Sequence, residues 1–162
     1  MRKYASLIMF LCIATAAFAQ KLLPDTGFTN KAEAKNQMVN GVKEGKWMEY
    51  DTCYENGDTI GKPCGYRLTT YRDDRPYGII RDYDISGILK SEIPMKGGKE
   101  TGLEKRYFDS GKLMMEASYV NDKRNGAVKE YYENGKLKSE TLYINGKAGE
   151  TKSFDENGTE IK

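Results

Sequence analysis

The chain predicts an all-β fold: an elongated, single-layer antiparallel β-meander of repeated two-strand hairpins. Three observations predict it. A motif returns about every 24 residues, its opening glycines Gly78, Gly102, Gly126 and Gly149 stepping by 24, 24 and 23. A fixed period in this range means stacked supersecondary units, none of which buries its apolar face alone. Within a unit, a strand-like run ending at Tyr131 and Tyr132 meets the turn Glu133, Asn134, Gly135; a second run from Leu137 to Ile144 meets Asn145 and Gly146. Aromatic and β-branched runs separated by Asn-Gly signal hairpins. Beyond the first residues, no window sustains the helical apolar period.

The elements follow in order. Arg2 and Lys3 precede an apolar run from Leu7 to Phe18, closed by Ala17, Phe18 and Ala19 before Gln20. A basic start, a short apolar stretch and a small-x-small site predict a secretory signal peptide over residues 1–19, cut after Ala19. The run is too short to span a bilayer. A lipoprotein would use Cys12, but bulky Leu11 stands where that cleavage requires a small residue. The mature chain is therefore expected to be exported, periplasmic or secreted, with no membrane insertion after cleavage. Residues 20–31 carry no pattern and read as a loose N-terminal arm.

The repeat domain is expected over residues 32–162. A half repeat from Ala32 to Val39, ended by Asn40 and Gly41, opens it. The first full hairpin carries Gly45, Trp47, Tyr50 and Tyr71. It is irregular, because Gly45 to Tyr71 spans 26 positions where Gly102 to Tyr119 spans 17. Cys53 and Cys64 flank the excess. In an exported chain, two mature cysteines imply one disulfide, contributing about 2–3 kcal/mol by restricting the unfolded chain. Their spacing is not that of a Cys-x-x-Cys redox pair.

A three-residue turn over Glu133, Asn134 and Gly135 predicts Tyr131 opposite Leu137 and Glu130 opposite Lys138. The same register sets Tyr107 against Leu113, Tyr83 against Leu89, and Asp82 against Lys90. Such aromatic–aliphatic and opposite-charge pairs stabilise hairpins. Gly87, Gly111, Gly135 and Gly158 then take positive φ. One face would carry Tyr50, Tyr83, Tyr107, Tyr131 and Phe154 with Leu89, Leu113 and Leu137, joined by Tyr71, Met95, Tyr119 and Tyr143. The other face would be charged.

Composition narrows the chemistry. The chain has no histidine, which removes Ser-His-Asp and Cys-His catalysis and His-ligated zinc. No metal site and no cofactor are expected. Of 26 basic residues, two lie in the signal peptide, leaving 24 against 24 acidic. A net-neutral mature chain lacks the cationic surplus of a nucleic-acid binder.

The string from Tyr131 through Asn134, Gly135, Lys136 and Leu137 to Glu140, followed by Tyr143, Asn145 and Gly146, resembles the MORN-repeat variant of bacterial YwqK-type antitoxins and related secreted proteins. The similarity covers about residues 36–162. The resemblance implies a single-layer antiparallel repeat sheet and a non-enzymatic role, with toxin–antitoxin as the family's usual label. The signal peptide and the cysteine-bearing insert lie outside that pattern.

Glu92, Glu116 and Glu140 recur at one repeat position and could be paired glycosidase carboxylates. Recurrence in every unit points instead to a stacking role, since catalysis needs dissimilar environments. The tyrosine ladder makes the better candidate, because aromatic side chains anchor interfaces. The candidate binding residues are Trp47, Tyr50, Tyr83, Tyr107 and Tyr131, with Trp47 and the 53–64 loop as the expected centre. The expected function is a non-enzymatic binding module for a protein or an envelope glycan. An antitoxin or immunity protein is the first alternative and a glycan-processing enzyme the second. Two free sheet edges make edge-to-edge self-association a further expectation.

Overall fold

A computed structural model of the protein describes residues 28–55 and 58–161, with the side chains of residues 54–60 outside the description. The expected signal peptide, residues 1–19, and residues 20–27 of the expected arm lie outside the described residues. A short 3-10 turn, Lys31–Glu33, leads into β1 (Gln37–Val39), β2 (Val42–Glu55), β3 (Asp58–Arg72), β4 (Arg75–Asp84) and β5 (Leu89–Lys96). Then follow β6 (Lys99–Glu100), β7 (Gly102–Tyr107), β8 (Leu113–Val120), β9 (Lys123–Tyr131), β10 (Leu137–Ile144), β11 (Lys147–Phe154) and β12 (Glu160–Ile161). They form one open antiparallel sheet in sequence order, with the two-residue β6 pairing β5 beside β7. The all-β meander of hairpins is what the sequence predicts.

Turn chemistry sets the period. One end of the sheet uses two-residue turns with both φ positive: Asn40-Gly41, Asp73-Asp74, Gly97-Gly98, Asn121-Asp122 and Asn145-Gly146. Positive φ at both centres matches the right-handed twist of the flanking strands, and Asn, Asp and Gly are the residues that tolerate it. The other end uses three-residue turns. There the Tyr132 N–H donates to the Lys136 carbonyl (2.9 Å) and the Gly135 N–H to the Tyr132 carbonyl (2.8 Å). Gly87, Gly111, Gly135 and Gly158 have φ of 93°, 78°, 85° and 88°, as the register argument requires. Two strands plus one turn of each kind make one repeat.

The register agrees with expectation at the turn and departs one pair later. Tyr83, Tyr107 and Tyr131 stand opposite Leu89, Leu113 and Leu137. Next, however, Glu130 faces Ser139 rather than Lys138, and Asp82 faces Ser91 rather than Lys90. One extra residue per hairpin (Lys90, Met114 or Lys138) bulges from the ladder, and a bulge re-aims every side chain beyond it. The expected faces are corrected accordingly. Met95, Tyr119 and Tyr143 lie opposite the Tyr–Leu positions. Tyr71 joins them, because Tyr50 pairs with Tyr66, an odd step of five residues before Tyr71. Charged residues therefore share the face with Tyr107 and Tyr131, instead of being confined to the other.

Each face carries its own small core. On the Tyr107 face, Phe28, Tyr66 and Leu68 are buried together with Ala34, Met48 and Tyr83 packed around them. On the Tyr119 face, Met115, Ala117 and Val128 are buried beneath Tyr119 and Tyr143. At the described end of the expected loose arm, Phe28 is packed while residues 29–31 are exposed: Phe28 is only 2% exposed, and its carbonyl accepts from Arg81 Nη1 at 3.4 Å. Burial of the Phe28 ring against Tyr66 and Leu68 is what holds it. Cys53 and Cys64 form the expected disulfide, with Cα atoms 5.5 Å apart.

Candidate binding surfaces

The Tyr107 face carries a row of alternating charge that crosses seven strands. Direct pairs run Arg81–Glu92, Glu92–Lys105, Lys105–Glu116, Glu116–Lys129, Lys129–Glu140 and Glu140–Lys152. Neighbours lie one strand spacing apart, about 4.8 Å. Arg81 Nε contacts Glu92 at 3.0 Å and Lys129 Nζ contacts Glu140 at 3.7 Å. The tyrosine of the next repeat reaches the same carboxylates, as Tyr107 Oη donates to Glu92 and Tyr131 Oη to Glu116, each at 2.8 Å. Burial, and then these hydrogen bonds, push both phenols up to about 12, so they remain donors at any ordinary pH. Glu92 and Glu116 thus have like surroundings, each between cations and under a tyrosine. Each carboxylate is engaged by its tyrosine in the same way, the repetition that a stacking role predicts.

The five candidate residues are not brought together. Tyr50, Tyr83, Tyr107 and Tyr131 lie on one face and Trp47 on the other, because Trp47 pairs with Thr69 while Tyr50 pairs with Tyr66. Tyr83 stacks on Tyr66 with centroids 5.0 Å apart and planes 10° apart, so its ring face is spent inside the protein. Tyr50 stands 56% exposed. Further along this face, Leu103 and Leu142 are 42% and 56% exposed.

Around Trp47 the hairpin builds a corner. The Trp47 ring meets Tyr71 edge to face, with centroids 6.0 Å apart and planes at 79°. Lys43 Nζ sits 4.8 Å from each ring centroid and 2.5 Å from Glu49 Oε1. Tyr71 Oη donates to Glu49 Oε2 (3.2 Å), and Trp47 Nε1–H donates to the Glu44 carbonyl (3.0 Å). The hydrogen bond to Glu49 raises Lys43 above the ordinary lysine range. Trp47 is conspicuous as the only tryptophan. Its partners became visible only with the pairing of Gly45 against Tyr71.

A second polar cluster escaped sequence reasoning. Glu104 is 2% exposed; its Oε1 accepts from Arg106 Nε at 2.7 Å, whereas its Oε2, like Glu100 Oε1, is buried without a partner. Burial first, then the Glu104 and Asp122 carboxylates, push Glu100 up to about 7 against the opposing pull of Arg106 and Arg124. Among the described residues no cluster of Cys, Asp and Glu is placed to hold a metal ion, and no helix is long and apolar enough to cross a membrane.

Fold and surface together define an open-sheet β-hairpin repeat protein. Residues 100–121 and 124–145 match the family described as MORN repeat variant, and the match supports the MORN-repeat family for these units. The two segments begin 24 residues apart, in step with the glycine period. MORN repeats are often protein- or membrane-binding modules and typically non-catalytic. Comparisons with curated proteins and with solved structures return no match.

Proposed function

We propose that this chain is an exported, non-enzymatic binding module whose partner is a protein held on the Tyr107 face over β7–β11. One observation carries the reading: a contrast along that face. At the β2–β4 end, the segment carrying Phe28 lies on Tyr66 and Leu68 and seals them, with its backbone carbonyl held by Arg81. Over β7–β11, Leu103 and Leu142 stand exposed beside the Lys105–Glu116–Lys129–Glu140–Lys152 row. Apolar side chains rimmed by paired charges compose an ordinary protein interface, and a polypeptide seated as Phe28 is would match both. A sugar platform is less well served, because it needs free ring faces and the Tyr66–Tyr83 stack has none between its rings. Export rests on the basic start, apolar run and small-x-small site of residues 1–19.

The test places a photo-crosslinking residue at Leu103, Leu142 or, exposed on the other face, Thr151 in the producing cell. The expected result is one protein adduct from the first two positions, absent at Thr151 and lost with Lys129→Glu. Equal labelling from all three, or an adduct that is glycan, would replace this reading.

A further inference from the structure

We propose that the corner formed by Trp47, Tyr71 and Glu49 is a binding site for a quaternary alkylammonium group of the choline type, with Lys43 as its resident, displaceable occupant. It lies on the face opposite the proposed protein surface, so the two readings stand or fall separately. Two aromatic faces at 79° converge on one point, marked by the Lys43 ammonium at 4.8 Å from both centroids. Aromatic walls of this kind attract cations through the negative potential of the ring face, and suit alkylated ammonium groups best. The third wall is a carboxylate, Glu49, contacting that ammonium.

The walls are held from behind. Trp47 is fixed through its indole N–H to the Glu44 carbonyl, and Tyr71 through its hydroxyl to Glu49. Burial, then the Glu49 charge, raises the Tyr71 phenol, so it stays a neutral donor. All three residues sit on the paired strands β2 and β3, so the site needs no loop to order.

The resident is the movable part. Lys43 reaches in on a flexible stem with its side chain 31% exposed, and a primary ammonium is strongly hydrated, so water recovers much of what it gives up on leaving Glu49 and the two rings. A quaternary ammonium sheds its hydration more easily and gains from the same two rings. Other cation–ring contacts, such as Lys138 over Tyr132 and Arg72 over Tyr77, offer one ring each. This corner supplies two rings and a carboxylate, in the hairpin that departs from the repeat.

Because Trp47 is the only tryptophan, its fluorescence in the full mature chain reports on this corner alone. Choline chloride and tetramethylammonium chloride are titrated into wild type, Lys43→Ala and Lys43→Gln at constant ionic strength, with sodium chloride as reference and far-UV circular dichroism confirming the fold. The expected result is a saturable change with both quaternary ions that tightens by about tenfold when Lys43 is removed, since the binding-competent open state is then fully populated. Glu49→Gln should weaken it. Phosphatidylcholine vesicles form a second arm: a shift with vesicles beyond that of free choline assigns the headgroup as the source, and an equal one assigns the free ion. No saturable response in either folded Lys43 variant, or one matched by sodium chloride, overturns the site.

Discussion

Glu100 is the residue whose surroundings are least comfortable. One of its carboxylate oxygens is buried without a partner, as is one on Glu104, and its carboxyl is raised from 4.5 to about 7. In the unfolded chain it ionises near its ordinary value, so between those two values the folded state holds a proton that the unfolded state has lost. Stability must therefore fall as pH rises through that window. Glu100→Gln removes the titration. Its urea midpoint relative to wild type should be higher at pH 8 than at pH 5, and a constant offset would contradict this. Nothing in the sequence flags the residue, because Glu100 looks like any other surface charge. Its discomfort comes first from burial and then from Glu104 and Asp122, which reach it through the folding of β6, β7 and the 121–122 turn. Tyr107 and Tyr131 show the converse. Their recurrence was legible, while their hydrogen bonds to Glu92 and Glu116 depended on register.

At the scale of the hairpin, two kinds of glycine do different work. Gly135 has φ 85° with nothing within 4 Å of an added Cβ, so Gly135→Ala bears only the left-handed penalty of about 1–2 kcal/mol. Gly126 has φ 123°, and an added Cβ would lie 2.9 Å from the Ser118 Cβ on the neighbouring strand. Gly126→Ala should therefore cost more than Gly135→Ala in denaturant unfolding. Ser118→Gly should recover the steric part of that loss and leave the backbone part. Turn glycines were readable from Asn-Gly and the tyrosine–leucine pairing. The bulge one residue later leaves one trace in the sequence, the unbroken apolar run Leu113, Met114, Met115, which interrupts alternation at that point. That bulge puts Tyr119 and Tyr143 on the face opposite Tyr107 and Tyr131.

Over the whole molecule, each strand touches its sequence neighbours and little else, so stability is close to a sum of local terms. Among the described residues, the segment before β1 departs from this, since Phe28 joins it to Tyr66, Leu68 and Arg81. Phe28→Ala should cost about 3–4 kcal/mol and raise amide hydrogen exchange in β3 and β4, while leaving β9 and β10 unchanged. Uniform loosening would show the sheet to be more cooperative than its topology implies. What the sequence by itself determined is the unit: its 24-residue period, its hairpins and turn glycines, and the disulfide pair. These depend on backbone conformations and pairings within one or two turns of the chain, where residue type dictates φ and alternation. What only the tertiary structure decided is which side chains meet: the seven-strand charge row, the two opposite cores, the Phe28 seal, and the Trp47 corner filled by Lys43. Those depend on a register that a single bulged residue shifts, and on contacts between residues far apart in the chain, about which local pattern carries no information.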